Sequence, residues 1–126
     1  MIILRKQKYK ELPWTKENIE KYKSQENMLK HARFIPEKTV GKFLVTPTDE
    51  KLVGYIACEG DTIIALEVLP EYRGRGIATD LINSSGATKL SVQKGNRNAI
   101  RLYEKLGFRI ISENPRMYFM ENKILF

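Results

Sequence analysis

The chain has 126 residues, with 22 Lys and Arg against 15 Asp and Glu, and a net charge of +7. This length suits one domain, residues 1–126, around a single hydrophobic core. No apolar stretch approaches the roughly 20 residues of a membrane helix, and the N-terminus lacks a signal-peptide pattern. The one cysteine, Cys58, cannot form an internal disulfide and is expected to be a small buried hydrophobe. These features predict a cytoplasmic protein without a membrane partner.

The positive charge is concentrated in the first third of the chain. Residues 1–45 hold eleven Lys and Arg against five Asp and Glu, a net of +6, whereas residues 46–126 hold eleven against ten, a net of +1. Such an excess attracts polyanions, whether nucleic acid or a phosphorylated cofactor, but it can also be a solvated helix face. We expect the solvated face, so nucleic acid is not the predicted partner.

The N-terminal residues predict a short strand followed by a helix. Ile2-Ile3-Leu4 opens the strand, which ends in the charged run Arg5 to Lys10. Pro13-Trp14-Thr15 is typical of a helix entrance, with Thr15 as the N-cap. Apolar residues then recur at near-helical spacing, which predicts an amphipathic helix over residues 15–33.

Three strands joined by tight turns follow the helix. The first is Phe43-Leu44-Val45, and a turn at Pro47-Thr48-Asp49-Glu50 leads into the second, Leu52 to Glu59. Gly60-Asp61 is typical of a hairpin turn into the third, Thr62 to Val68.

Helices and strands alternate in the remainder of the chain. A helix on Ile77, Leu81 and Ile82 stops early at Asn83-Ser84-Ser85-Gly86. The later elements are a strand at Leu90-Ser91-Val92, a helix over residues 97–106 closed by Gly107, and strands at Phe108–Ile111 and Met117–Met120. This order predicts an α/β domain, more closely α+β, with a mixed sheet and helices packed on its faces.

A basic, glycine-bearing turn joins the third of these strands to the next helix. It reads Val68-Leu69-Pro70-Glu71-Tyr72-Arg73-Gly74-Arg75-Gly76-Ile77-Ala78. Gly74 and Gly76 let the backbone come close to a ligand, Ala78 and Thr79 open a helix whose first N–H groups lack partners within it, and the arginines add charge. The turn therefore predicts an anion cradle. P-loop and dinucleotide fingerprints fit poorly, because Gly-Lys-Ser/Thr and a third glycine are missing.

A second run, from Asn96 to Phe108, places Tyr103 late on a helix that ends at Gly107. Taken alone, this tyrosine is either a proton donor or a core aromatic of an amphipathic helix.

Together the two runs resemble the signatures of the GNAT superfamily of N-acetyltransferases. The turn pattern Arg/Gln-x-x-Gly-x-Gly/Ala is matched by Arg73-Gly74-Arg75-Gly76-Ile77-Ala78. The pattern Asn-x-x-Ala-x-x-Leu-Tyr-x-x-x-Gly-Phe is matched from Asn96 to Phe108 without a substitution. The resemblance covers about residues 41–120 and implies a mixed, mostly antiparallel sheet of six or seven strands. It also implies transfer of acetyl from acetyl-CoA to a primary amine by direct attack.

The resemblance assigns roles to particular residues and implies no metal. The residues that would hold acetyl-CoA are Leu66, Glu67, Val68, Arg73, Gly74, Arg75, Gly76, Ile77, Ala78, Thr79, Asn96, Ala99 and Tyr103. The N–H of Val68 would face the thioester carbonyl where its strand bulges and splays from the strand at Leu90-Ser91-Val92. Tyr103 would be the general acid for the departing thiolate, and Asn96 would bond the pantetheine or position a water.

The general base is left open. Many family members carry a glutamate at the positions of Ile64 or Ser91, so both usual carboxylates are missing here. Glu67 is the nearest candidate, with water chains or an already neutral amine as alternatives. His31 is expected at the surface.

The acceptor is also open. By resemblance it would be gripped by residues 14–38 and by the loop at residues 112–116. The basic first segment argues against a polyamine, whereas a small-molecule amine, a protein N-terminus or a lysine stays possible, as does a homodimer. The alternative function is a non-catalytic module on the same fold that holds CoA or a polyanion.

Overall fold

The computed structural model describes residues 8–26 and 38–123, with residues 24–26 described by their backbone alone. These residues form β1 Lys10–Pro13, α1 Lys16–Glu26, β2 Thr39–Val45, β3 Leu52–Glu59, β4 Thr62–Val68, a 3-10 helix Pro70–Tyr72, α2 Ile77–Ser85, β5 Lys89–Gln93, α3 Arg97–Lys105, β6 Arg109–Glu113 and β7 Met117–Glu121. None of the helices within this part of the chain is long and apolar enough to cross a membrane.

All seven strands form one sheet in the order β1-β2-β3-β4-β5-β7-β6. Every neighbouring pair is antiparallel except β4 and β5, which are parallel. A parallel pair needs a crossover connection, and α2 lies in the connection between these two strands. The predicted mixed, mostly antiparallel sheet of six or seven strands is confirmed.

The parallel strands separate soon after they begin. They pair only at their first two residues, Thr62 with Lys89 and Ile63 with Leu90. On the other side of β4, the register with β3 shifts and leaves Ile64 as an extra residue. A bulge of this kind bends the strand and increases its twist, so β4 turns away from β5 beyond Ile64. A slot opens between the carboxyl ends of β4 and β5, as the resemblance implied.

The two faces of the sheet carry separate hydrophobic clusters. The α2/α3 face is packed by the buried Ile77, Leu81 and Ile82 of α2, the three residues predicted for that helix, and by the partly buried apolar residues of α3. The α1 face is packed by Ile19 and Tyr22 of α1. Because successive side chains of a strand point to opposite faces, neighbouring strand residues belong to different clusters. The predicted placement of helices on both faces is therefore confirmed.

The prediction for the N-terminal region is wrong in one respect. Lys10–Pro13 form an edge strand paired with β2, where the sequence predicted a charged run and a helix entrance. Proline is tolerated there because an edge strand has one unpaired side. The helix does begin after Thr15, whose Oγ1 accepts the N–H of Asn18 at 3.1 Å, as an N-cap does. The predicted strand at residues 2–4 and the last part of the predicted helix, residues 27–33, lie outside the described residues.

From residue 38 onward, every predicted strand and helix is present. β3 and β4 have the predicted ends, and β2 begins at Thr39 rather than Phe43. α2 has nine residues and ends before Gly86, whose φ of 71° is left-handed, so the early stop is confirmed. Cys58 is buried, as expected.

Candidate active site

A groove of about 710 Å³ joins the two sequence runs singled out above. It is lined by Leu66, Glu67, Val68, Tyr72, Arg73, Gly74, Gly76, Ile77, Ala78, Thr79, Asn96, Asn98, Ala99, Leu102 and Tyr103. All of the predicted cofactor residues except Arg75 are among them. Tyr72, Asn98 and Leu102 are additions that the sequence analysis did not name, although each lies within one of the two runs.

The glycine turn has the backbone conformation that an anion cradle requires. Gly74 and Gly76 have φ values of 78° and 79°, in the left-handed region that other residues adopt at a cost. Gly76 is the N-cap of α2, and a glycine has no side chain to accept the first N–H groups of the helix. An anion at this position can accept them instead, with the positive end of the helix dipole facing it.

The two arginines stabilise the turn through hydrogen bonds to backbone carbonyls. Arg73 Nε donates to the carbonyl of Val68 at 2.9 Å. Arg75 Nη2 donates to the carbonyl of Glu71 at 3.1 Å, and its guanidinium lies 5.4 Å from the centre of the Tyr72 ring. A guanidinium has five N–H donors, so both side chains keep capacity for a phosphate. Arg73 lines the groove, whereas Arg75 lies beside it.

The backbone N–H of Val68 points toward the slot. The next N–H along the chain, that of Leu69, donates to the carbonyl of Val53 in β3 at 2.9 Å. N–H groups of successive strand residues point to opposite sides, so the N–H of Val68 points away from β3. On that side β5 has already separated from β4. The geometry therefore directs a backbone donor into the space between the two strands.

Tyr103 lines both the groove and the slot. It lies on α3 and makes an edge-to-face contact with Phe108, with ring centres 6.1 Å apart. Burial raises the pKa of the Tyr103 phenol, because desolvation disfavours the phenolate. The hydroxyl is consequently protonated at neutral pH and can donate. The helix carrying it begins at Asn96, whose Oδ1 accepts the N–H of Ala99 at 3.3 Å.

The slot itself has a volume of about 280 Å³. Ile64 and Ser91 line it, and neither can accept a proton at neutral pH. Tyr55 and Glu67 line it too, and the hydroxyl of Tyr55 donates to Oε1 of Glu67 at 3.0 Å. Burial, and secondarily the charge of Glu67, raises the pKa of Tyr55. Glu67 was predicted from the sequence as the nearest candidate base. Tyr55 was not predicted, since only the strand register places it opposite Glu67.

The predicted acceptor-binding segments are described in part. Residues 27–37, including His31, lie outside the described residues. The loop between β6 and β7 is shorter than predicted, because Ser112 and Glu113 belong to β6. Oδ1 of Asn114 accepts the N–H groups of Arg116 and Met117 at 2.9 and 2.7 Å and so fixes the loop. The loop borders a cavity of about 820 Å³ that shares lining residues with the slot.

Residues 39–110 match the family model of the acetyltransferase (GNAT) domain. The match covers more than half of the chain, and the chain belongs to the GNAT acetyltransferase family.

Curated relatives include an uncharacterized protein of Mycobacterium leprae, 38% identical over 85 residues, or 56% of this chain and 24% of that protein. An uncharacterized N-acetyltransferase of Methanocaldococcus jannaschii is 34% identical over 86 residues, or 52% of this chain and 38% of that protein. The chain thus spans well under half of the length of these relatives.

Solved structures with the same fold include two acetyltransferases of Arabidopsis thaliana. Naa50 in complex with the bisubstrate analogue CoA-Ac-MVNAL is 24% identical with a TM-score of 0.70, covering 93% of this chain and 99% of that chain. NAA60 in complex with acetyl-CoA is 20% identical with a TM-score of 0.70, covering 89% and 96%. Likeness at these identities shows the fold.

Proposed function

We propose that this protein transfers the acetyl group of acetyl-CoA to a primary amine by direct attack. One observation carries the proposal: the glycine turn at Gly74 and Gly76 opens into the same groove as the slot beside Val68, and Tyr103 lines both. The anion cradle suits the phosphates of CoA, the backbone donor suits the developing oxyanion, and the protonated phenol suits the departing sulfur.

Successive parts of the groove suit successive parts of acetyl-CoA, from the pyrophosphate to the pantetheine arm. The turn and the first residues of α2 suit the pyrophosphate, since the described lining between Arg73 and Thr79 contains no carboxylate. The splayed strands suit the extended pantetheine arm, with Leu66, Glu67 and Val68 on one side and Asn96 and Ala99 on the other. Relatives of the same fold were solved with acetyl-CoA or a CoA conjugate, which agrees with this fit.

Bound acetyl-CoA supplies an activated thioester, and the residues of this chain supply the rest. The Val68 N–H donates to the carbonyl oxygen as negative charge develops on it. Tyr103 donates its proton to the departing sulfur, which is a tolerable leaving group because a free thiol has a pKa of about 8.5. Asn96 holds the start of α3, and hence the position of Tyr103, through its bond to the N–H of Ala99.

The alternative is a non-catalytic module that holds CoA or a polyanion. Its support is the basic first third of the chain, but three of the lysines described there are paired with carboxylates. Lys10 and Lys21 both pair with Glu50, and Lys42 pairs with Glu11. Paired lysines offer less charge to nucleic acid, so the catalytic proposal is the stronger one.

We further propose that the protein acts in the cytoplasm, in line with its free buried Cys58, and that its acceptor is a small amine or a protein amine. The peptide Met-Val-Asn-Ala-Leu, the peptide part of the analogue bound to Naa50, is a reasonable first probe.

Two measurements test the proposed function. Acetyl-CoA should raise the melting temperature, as any ligand that binds only the folded state does, with about 2.7 kcal/mol expected at 100 times the Kd. Release of free CoA thiol should then require an added amine, which is found by screening a panel of alkylamines, amino acids and peptides that includes Met-Val-Asn-Ala-Leu. Binding without amine-dependent thiol release would favour the CoA-binding module. No acetyl-CoA shift, together with salt-sensitive binding of nucleic acid, would favour the polyanion-binding module.

A further inference from the structure

Two side chains on neighbouring strands form a rigid hydrogen-bonded pair in the slot. Tyr55 of β3 and Glu67 of β4 are direct partners in the antiparallel register, so their side chains share one face. Besides its 3.0 Å bond to Oε1 of Glu67, Tyr55 packs against Trp14 and Phe43, with ring centres 5.8 and 6.3 Å away. The ring is only 1% exposed. The hydroxyl is therefore fixed by packing, and it in turn fixes the carboxylate.

The pair approaches the slot from the side opposite to Tyr103. Tyr55 packs in the cluster of the α1 face, whereas Tyr103 packs against the cluster of the α2/α3 face. Both nevertheless line the slot, together with Glu67. A thioester held from the α2/α3 face would meet Tyr103 on its own side and Glu67 on the far side.

The charge of the slot suits a cationic acceptor. Among the described residues that line it, Glu67 is the one carboxylate, and neither Lys nor Arg is present. A primary amine reaches a protein mainly as an ammonium ion, which is attracted to a lone carboxylate in a half-buried space. The bond from Tyr55 occupies Oε1, and a carboxylate has a second oxygen with which to accept from the ammonium.

Building on the acetyl transfer proposed above, we propose that Glu67 is the catalytic base for the acceptor and that Tyr55 is its positioning residue. Glu67 takes one proton from the ammonium, and the freed nitrogen lone pair forms the C–N bond while the C–S bond breaks. Tyr103 gives its proton to the sulfur, and the second proton lost by the nitrogen restores the phenol. Glu67 releases its proton to solvent, so each turnover yields one amide, one thiol and one proton.

The test compares an acceptor that needs a base with one that does not. The probes are the best amine of the panel, beginning with Met-Val-Asn-Ala-Leu, and its counterpart with an aminooxy group, whose nitrogen is largely unprotonated at neutral pH. Glu67→Gln keeps the shape of the side chain and an oxygen for the Tyr55 hydroxyl. We expect it to lose about 100-fold in kcat/KM with the amine and only a few-fold with the aminooxy probe. Glu59→Gln, at the exposed end of β3, is the matched control and should behave as the wild type.

Tyr55→Phe provides a second, independent measurement. Loss of its bond to Glu67 should lower kcat with the amine by about tenfold and leave the aminooxy reaction nearly unchanged. A general disturbance of the fold would lower both reactions together, which would overturn the proposal, as would wild-type turnover of the amine by Glu67→Gln. In either case an unchanged acetyl-CoA thermal shift would leave the proposed function intact. A wild-type protein that acetylates no amine would instead overturn the proposed function, and the role of Glu67 with it.

Discussion

The two faces of the sheet prepare the proposed site in different ways. On the α2/α3 face, the site is made from two continuous runs, and much of it is backbone: left-handed glycines, the start of α2, and the N–H of Val68. On the α1 face, it is made from Tyr55 and Glu67, which lie twelve residues apart and meet only because β3 and β4 pair. A phosphorylated donor can be held by main-chain geometry, whereas a cationic acceptor needs a side chain of the opposite charge.

Removal of the proposed proton donor on the α2/α3 face should have the strongest effect on turnover. Tyr103→Phe should lower kcat by about 100-fold with little change in the melting shift given by acetyl-CoA, because only the proton transfer is lost. Because burial raises the pKa of Tyr103, the wild-type phenol stays protonated through the neutral range, and kcat should show no fall from phenolate formation there.

Tyr118→Phe is the control for this change. Tyr118 is half-buried on β7, with the amino group of Lys94 5.1 Å from its ring centre, and it does not line the groove or the slot. Equal losses of kcat in the two variants would argue against a proton-donating role for Tyr103.

A second pair of substitutions tests whether the glycine turn contributes to acetyl-CoA binding or only to the stability of the fold. Gly74 and Gly86 have φ values of 78° and 71°, and a Cβ added at either would meet nothing within 4 Å. Alanine at each position should therefore cost a similar 1–2 kcal/mol or so of folding free energy. Only Gly74→Ala should also weaken acetyl-CoA binding, by about tenfold, because a methyl group would intrude where the backbone approaches the pyrophosphate. Isothermal titration measures both affinities, and comparable weakening by Gly86→Ala would refute the local role of the turn.

The same contrast explains what could be predicted from the sequence. The glycine turn and the Asn96 run are contiguous, and their chemistry follows from local rules for turns and helix starts, so nearly all of the predicted cofactor residues line one groove. Tyr55 could not be found in this way, because it lies beside Glu67 only through the pairing register of β3 and β4. The edge strand Lys10–Pro13 was missed because it is polar and ends in proline, and pairing with β2 rather than intrinsic preference makes it a strand.

A third substitution, at Gly54 of β3, disturbs β4 at Glu67 and Val68, which belong to the two halves of the proposed site. A Cβ at Gly54 would lie 2.7 Å from the carbonyl oxygen of Glu67 and 3.3 Å from the Cα of Val68, so β4 must shift where the proposed oxyanion donor and base lie. Gly54→Ala should cost about 2 kcal/mol of stability and lower kcat several-fold in the protein that remains folded. Gly41→Ala also forces a backbone clash, 2.1 Å from the carbonyl oxygen of Ile56, and neither residue lines the slot. It should destabilise the protein without lowering kcat per folded molecule, and a parallel fall in kcat would show that any strain in the sheet is enough.

Substitutions of the two N-cap residues, one on each face of the sheet, should have the smallest effect. Asn96 caps α3 through the N–H of Ala99, and Thr15 caps α1 through the N–H of Asn18. Replacing either by alanine removes one hydrogen bond to an otherwise unpartnered N–H and should cost about 1 kcal/mol in urea unfolding. Only Asn96→Ala should also reduce acetyl-CoA affinity and kcat, by a few-fold, since the start of α3 lines the groove and sets the position of Tyr103. If Thr15→Ala impaired acetyl-CoA binding as much as Asn96→Ala, the two faces would be coupled through the sheet, and the division of donor and acceptor between them would have to be abandoned.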